Sequence, residues 1–193
     1  NNESYESWLN LANTLYMLGE DDALQAYEKA LELRPNSREA LLGKAMALAR
    51  LTRWDDALAI YNNLIKKGDP AEKAEILYQM AMLYQDFDIN KAIDCLEKAV
   101  KYNPAQPELW FELGNVLLKA GKEDDALKSY EKAVKRGLQV FDIFYNMALC
   151  YYNKGEYKNS IECLNKALEL EKRWEGYYLI GMNYIKMDKN KKA

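Results

Sequence analysis

Several residue types on which enzymes and metal sites depend are absent or scarce in this chain of 193 residues. It contains no histidine, which removes the commonest general base and the usual zinc ligand. Its nine glycines form neither of the glycine-rich motifs that cradle phosphate groups. Cys95, Cys150 and Cys163 are odd in number and lack C-x-x-C spacing, which favours small apolar packing groups in a reducing compartment. We therefore expect no enzyme activity, no cofactor and no metal site.

Long hydrophobic runs and an excess of positive charge are also missing. No stretch of eighteen apolar residues is present that would cross a bilayer, and no charged and then apolar leader opens the sequence. The net charge of −3 gives no field that attracts polyanions, and neutralising phosphates requires a basic surface. We therefore expect a cytoplasmic protein whose partners are neither nucleic acids nor membranes.

What the sequence does contain is a pair of predicted helices between Pro107 and Val134. Apolar or small residues recur at helical spacing and form one stripe on each helix: Trp110, Leu113, Gly114 and Leu117 on the first, then Ala126, Tyr130, Ala133 and Val134 on the second. Pro107 suits the first position of a helix, and Gly121 separates the two stripes. Gly114 and Ala126 have almost no side chain, so the two backbones can approach closely. The pattern predicts a helical hairpin.

The hairpin pattern recurs along the whole chain. Successive copies span residues 5–37, 38–71, 74–106, 107–140 and 141–173, and a partial copy spans residues 174–193. Each resembles the tetratricopeptide repeat, whose signature spaces aromatic and small residues, tyrosine and proline over about 34 residues. The sequence departs from that signature at Lys44, where an apolar residue is usual, at Ser160, where alanine is usual, and at Leu138, where proline is usual. Two extra residues, Glu72 and Lys73, precede the third copy.

The resemblance implies an all-α fold. It implies a right-handed superhelical array of antiparallel helix pairs, an α-solenoid of about 11 helices, which we expect to form a single domain over residues 5–193. It also implies that the first helix of each pair lines a concave groove and that the chain is a scaffold for protein–protein interaction. In the last copy, Tyr177, Ile180, Tyr184 and Met187 face the place of a second helix that the sequence does not contain. We expect this open end either to bind its continuation or to pair with another molecule.

The resemblance also assigns the residues that face the groove. They come from the fifth and ninth positions of each first helix: Leu9, Asn13, Leu42, Met46, Tyr78, Met82, Phe111, Asn115, Tyr145, Leu149, Tyr178 and Met182. Most are apolar, and the methionines suit an adaptable hydrophobic contact. The second position is acidic in every copy: Glu6, Glu39, Glu75, Glu108, Asp142 and Glu175. Such an acidic rim favours lysine or arginine, so the predicted partner is a peptide or helix with apolar anchors and basic flanks.

Other interpretations of the same residues stay open. An acid in the first turn of a helix also complements the helix dipole by about 0.3 to 1 kcal/mol. The apolar residues of the predicted groove also suit packing against neighbouring repeats. If these interpretations hold, the array is a structural or self-assembling subunit. Its open C-terminal end or its groove is then filled by another copy or by the missing remainder of the chain.

One specialised function within the family is not expected. Some of these repeats clamp the C-terminal carboxylates of heat-shock chaperones with lysine, arginine and asparagine at fixed positions. From the fourth copy onward, Asn115 and Asn146 match that pattern, but the cationic places hold Phe111, Glu175 and Leu179. Acids in place of bases repel a peptide carboxylate, so we predict no chaperone-tail binding of this kind.

A calcium-loop spacing also occurs in the third copy, through Asp86, Asp88, Asn90, Asp94 and Glu97. Lys91 replaces the glycine that such a loop requires for its sharp turn. The repeat register places residues 91–97 on a helix, whose backbone cannot wrap around an ion. We therefore predict no calcium site.

Overall fold

The computed structural model describes residues 4–192, with side chains for residues 4–188, and these residues form eleven helices and no strand. The all-α prediction and the number of helices are thereby confirmed. The helices are α1 Tyr5–Leu18, α2 Ala23–Leu33, α3 Arg38–Arg50, α4 Trp54–Lys67, α5 Pro70–Tyr84, α6 Ile89–Tyr102, α7 Pro107–Lys119, α8 Glu123–Lys135, α9 Phe141–Asn153, α10 Tyr157–Leu170 and α11 Trp174–Lys192.

The helices belong to two compact units, which divide between Phe87 and Asp88. The first unit contains α1 to α5, and the second contains α6 to α11. The division falls between the two helices of the third predicted repeat, residues 74–106. The assignment of all six repeats to one domain stays a prediction.

In the first unit, α1 packs against α2 and α3 packs against α4, as the hairpin pattern predicts, and α2 and α4 each pack against the helix that follows. Ser4 and Ser37 begin α1 and α3 by accepting hydrogen bonds from the backbone N–H groups of Ser7 and Ala40, at 3.2 Å each. These caps satisfy donors that a helix leaves free at its start.

The start of α5 explains the two extra residues before the third repeat. Asp69 accepts a hydrogen bond from the Glu72 N–H, and the Glu72 side chain accepts one from the Asp69 N–H, both at 2.9 Å. This reciprocal pair, with Pro70 at the first helical position, begins α5 early. The insertion therefore lengthens a first helix by part of a turn and does not form a loop.

In the second unit, α7 pairs with α8 and α9 pairs with α10, while α11 packs against α10. The turn within the α7–α8 hairpin passes through Gly121, whose φ of 70° is in the left-handed region that glycine adopts without strain. The equivalent turn of the second repeat, in the first unit, contains Thr52 with a φ of 59°. A β-branched residue in this conformation is strained, so the second repeat departs from the first, fourth and fifth, whose turns place Gly19, Gly121 and Gly155 in this conformation.

The helices of the α7–α8 hairpin pack through a glycine and a tyrosine. A Cβ placed on Gly114 would lie 2.5 Å from Cε1 of Tyr130, well inside any normal contact distance. Tyr130 and Ala126 are both fully buried. The small residue at this position of the repeat therefore makes room for the ring of the second helix.

Candidate functional site

In the first unit, residues of the predicted groove and of the predicted acidic rim line two cavities. The larger, of about 530 Å³, lies between the first helices α3 and α5 and is lined by Arg38, Glu39, Leu42, Leu64, Ala71, Glu72, Glu75 and Ile76. The smaller, of about 190 Å³, is lined by Tyr16, Met46, Ala49, Arg50, Tyr61, Gln79, Met82 and Leu83. The structure thus brings Met46 together with Met82, and Leu42 together with two residues of the predicted acidic rim.

The predicted groove residues of this unit differ in how much of each side chain is exposed. Leu42, Tyr78, Met46 and Met82 are each partly exposed. Leu9 is only 6% exposed and packs in the core of the first hairpin with Ala12 and Tyr27, so it offers almost no surface to a partner.

The two asparagines at the ninth position have a structural partner that the sequence reading missed. Tyr27 Oη donates a hydrogen bond to Asn13 Oδ1 at 2.7 Å, and Tyr130 Oη donates to Asn115 Oδ1 at 2.9 Å. Burial raises the pKa of Tyr27 to about 12 from an ordinary value near 10, so its hydroxyl keeps its proton and remains a donor even in mildly alkaline solution. Each pair joins the two helices of one hairpin. Asparagine occurs at this position only in copies that carry the tyrosine, which is a signal that the sequence already contained.

Asn115 also connects neighbouring hairpins of the second unit. Asn146 Nδ2 on α9 donates to Asn115 Oδ1 on α7 at 2.9 Å. The amide oxygen of Asn115 therefore accepts from both Tyr130 and Asn146. A partner peptide that bonded to this oxygen would have to compete with these two donors.

The apolar groove residues of the second unit are largely packed against their own neighbours. The rings of Phe111 and Tyr130 are tilted with centroids 6.0 Å apart, and Tyr145 stacks on Phe141 at 5.6 Å. Leu149 and Met182 pack against the cluster that includes Leu164 and Leu179. The exception is Tyr178, which is 62% exposed on α11.

The predicted acidic rim is neutralised in part by arginines that follow second helices. Arg34 contacts Glu6 at 2.7 Å, and its guanidinium lies 4.1 Å from the centroid of the Tyr5 ring. Arg173 repeats this arrangement with Asp142 at 2.9 Å and the Phe141 ring at 4.3 Å.

Arg173 also reaches Glu175 at 3.5 Å, so three of the six rim acids lie beside an arginine. The others are Glu39, Glu75 and Glu108, which form no ion pair with any residue that the structure describes. Glu75 accepts one hydrogen bond, from Gln79 Nε2 at 2.9 Å. The negative charge of the rim is therefore least compensated at these three residues, and two of them line the larger cavity.

Two departures from the repeat signature are compensated by polar contacts. Lys44 Nζ contacts Glu28 at 2.9 Å on the neighbouring α2 helix, so its charge is paired where an apolar side chain is usual. Ser160 is fully buried, and its hydroxyl donates to the backbone oxygen of Ala148 at 2.9 Å. A buried hydroxyl with a partner avoids most of the cost of leaving water.

One of the residues with calcium-loop spacing, Asp88, caps a helix. Asp88 precedes α6 and accepts a hydrogen bond from the Lys91 N–H at 3.1 Å, which is the contact of a helix cap. Nowhere in the described chain do three or more His, Cys, Asp or Glu side chains lie together as metal ligands would.

The three cysteines, Cys95, Cys150 and Cys163, are free and buried. Burial raises the pKa of Cys95 and Cys163 to about 11 and that of Cys150 to about 12.

In each unit, helical hairpins pack side by side, and a small residue of one helix packs against a tyrosine of the other. This arrangement defines a helical-repeat protein. The family model described as Psidin, N-terminal TPR repeats region, matches residues 18–115. Models described as tetratricopeptide repeat match residues 107–136 and 141–173. The chain belongs to the tetratricopeptide-repeat family.

Known proteins with similar sequences or structures support this assignment. The chain is 29% identical to the human protein O-mannosyl-transferase TMTC1 over 154 residues, which cover 78% of this chain and 17% of that protein. It is 25% identical over 186 residues to the peroxisomal targeting signal receptor of Kluyveromyces lactis, covering 78% of this chain and 33% of the receptor. The solved structure of MamA is similar with a TM-score of 0.71 and 26% identity, over 83% of this chain and 94% of MamA.

The chain spans a third or less of the length of these two curated relatives. The similarity to solved tetratricopeptide-repeat proteins confirms the helical-repeat solenoid as the fold class. Among the residues that the structure describes, every helix is too short or too polar to cross a lipid bilayer.

Proposed function

We propose that this chain is a protein–protein interaction scaffold without enzyme activity, which binds a peptide or helix through the surface of its first helices. Tetratricopeptide-repeat proteins generally mediate such interactions. The observation that carries the proposal is that Met46 and Met82, on two different first helices, line one cavity. One relative is named a receptor for a targeting signal, which is also consistent with binding a segment of another protein.

The chemistry of this surface indicates what the partner carries. Met46 and Met82 are partly exposed, and unbranched methionine side chains adapt to apolar groups of different shapes. Glu39 and Glu75 lie on the same two helices and have no cationic partner among the described residues. A partner with apolar anchors and basic flanks complements both features. We propose a cytoplasmic location and no nucleic-acid, membrane or cofactor partner.

The surroundings of the clamp positions argue against binding of chaperone C-terminal carboxylates. Leu179 is 6% exposed within the core, and the ring of Phe111 packs beside Tyr130. Asn115 Nδ2, the group that would donate to a carboxylate, already donates to Glu112 Oε2 at 3.2 Å. The proposed scaffold is therefore not a carboxylate-clamp adaptor.

Peptide selection tests the proposal directly. A random peptide library displayed on phage is panned against the chain, and we expect enriched peptides to combine apolar anchors with lysine or arginine. Met82→Glu places a carboxylate beside Met46 in the smaller cavity and should weaken the selected peptides at least tenfold, since a charge set against the apolar anchor of a peptide is costly. Leu33→Glu is the control, because Leu33 is 49% exposed on a second helix. Equal loss in both variants, or no enriched peptide, would refute the proposal.

A second candidate function is favoured by the surface of α11. Tyr177, Tyr184 and Ile185 are 54%, 58% and 52% exposed on this helix. An apolar helix face of this kind suits self-association, so the alternative is a self-assembling structural subunit in which another copy covers α11. Sedimentation velocity of the chain and of Tyr184→Glu distinguishes the two. A concentration-dependent oligomer that Tyr184→Glu dissolves supports the alternative, and a strict monomer at high concentration excludes it.

A further inference from the structure

The larger cavity of the first unit has an apolar interior. Leu42 on α3, Leu64 on α4 and Ile76 on α5 line it, and its volume is about 530 Å³. Pockets that bind small groups have volumes of about 300 to 1,000 Å³. Ala71 and Glu72, in the early turn with which α5 begins, also line the cavity. The insertion specific to the third repeat therefore helps to form it.

The charges around this cavity are not balanced. Four charged residues line it, namely Arg38, Glu39, Glu72 and Glu75. Arg38 Nε contacts Glu72 at 2.8 Å, and Arg38 Nη1 donates to the Leu64 carbonyl at 3.0 Å. Its Nη2 is buried close to the backbone of Gly68, since a Cβ placed on that glycine would lie 2.7 Å from this nitrogen. The arginine is thus bound to Glu72, and two carboxylates remain without a cationic partner.

We propose that this cavity binds one lysine or arginine side chain of the partner peptide. The methylene stem packs against Leu42, Leu64 and Ile76, and the cation lies beside Glu39 and Glu75. Long basic side chains combine an apolar stem with a charged end, which matches an apolar cavity beside two acids that lack a cationic partner among the described residues. The inference rests on the proposed scaffold function and assigns the basic flank of the partner to one place.

The first test uses small ions and does not need a peptide. The full chain is labelled at the methyl groups of leucine and isoleucine, and n-butylammonium is titrated with NMR detection. We expect saturable shifts at Ile76 and at Leu42 or Leu64. Butyrate, which has a similar stem and the opposite charge, should give none. Equal shifts with both ions, or no saturable shift with n-butylammonium, would overturn the inference.

Charge-removing variants locate the cation. Glu39→Gln with Glu75→Gln keeps the side-chain shape and should weaken n-butylammonium about tenfold, because it removes two exposed charge pairs that each strengthen binding a few-fold. The matched control is Glu6→Gln with Glu108→Gln, which removes acids from the same repeat position outside the cavity. Circular dichroism checks that both double variants remain folded. If the control weakens binding as much, the cation is not held at this cavity.

A peptide experiment then separates this inference from the proposed function. In a peptide selected on the chain, each lysine is replaced by norleucine, which keeps the stem and removes the charge. One replacement should weaken binding to the unmodified chain but not to the Glu39→Gln and Glu75→Gln double variant. Peptide binding that is lost in Met82→Glu, with no lysine coupled to these acids, would keep the scaffold function and overturn the lysine site.

Discussion

Two glycines at the same repeat position provide the sharpest test of how the hairpins pack. Gly114 on α7 faces the buried ring of Tyr130, and an added Cβ would lie 2.5 Å from Cε1 and 2.6 Å from Cδ1. Gly181 on α11 is exposed, and a Cβ there would meet nothing within 4 Å. Substitution by alanine should therefore have opposite effects at the two positions.

The magnitudes follow from the two surroundings. Alanine gains about 1 kcal/mol of helix propensity over glycine at either position. At Gly114, overpacking costs about 1 to 3 kcal/mol, because the Tyr130 ring must move by roughly 1 Å within a filled core. That movement also strains the 2.9 Å hydrogen bond from Tyr130 to Asn115. The propensity gain offsets about 1 kcal/mol of the overpacking cost, and loss of the hydrogen bond adds about 1 kcal/mol. Gly114→Ala should therefore be destabilised by about 1 to 3 kcal/mol, whereas Gly181→Ala should be stabilised by up to about 1 kcal/mol.

Urea unfolding followed by circular dichroism measures both variants. A difference of about 2 to 4 kcal/mol separates their midpoints by roughly 1 to 2 M, given a denaturant slope of about 2 kcal/mol per molar. The reasoning is refuted if Gly114→Ala is as stable as the parent chain. A destabilised Gly181→Ala would show instead that the exposed face of α11 is covered in solution.

Three further predictions follow from single side chains. Thr52→Gly should raise the free energy of unfolding by about 0.5 to 1 kcal/mol in urea, because it relieves the left-handed strain at a φ of 59°. Tyr130→Phe should lower it by about 1 kcal/mol through loss of one hydrogen bond, and an unchanged midpoint would show that the bond contributes nothing. Burial raises the pKa of Cys150 to about 12 from an ordinary value near 9, so the stability that this thiol contributes below about pH 9 should be lost as the pH rises towards 12. At pH 8 the native chain should therefore react with a thiol reagent far more slowly than the unfolded chain, and equally fast labelling would contradict this.

Helical periodicity in the sequence was sufficient to predict the helices of the described residues and the hairpins α1–α2, α3–α4, α7–α8 and α9–α10. The third hairpin stays a prediction, because its two helices belong to different units. Stripes of apolar residues at helical spacing, interrupted at Gly19, Gly121 and Gly155, lead directly to helix pairs because each helix must bury one face. The start of α5 was harder to place. Asp69 and Glu72 close a capping box whose register depends on backbone geometry, and the sequence reading ended the preceding repeat beyond Pro70.

The candidate site was predictable only in part. The apolar and acidic side chains of the first helices could be read from the repeat register, and in the first unit the structure brings several of them into shared cavities. The partners of those side chains could not be read in this way. The hydrogen bond from Tyr27 to Asn13 joins residues 14 positions apart, and the contact of Arg173 with Asp142 joins residues 31 apart. Such contacts exist only after helices pack.

The sequence by itself therefore determined the class of fold and the residue types on each helix face, because both follow from local spacing and from the burial of apolar stripes. Tertiary packing decided which of those residues remain free to act. It buried Leu9, engaged Asn13 and Asn115 with tyrosines, and left Glu39 and Glu75 beside a cavity whose arginine is paired with Glu72. The physical reason is that exposure and charge pairing depend on neighbours from other helices, which the order of residues along one helix does not specify.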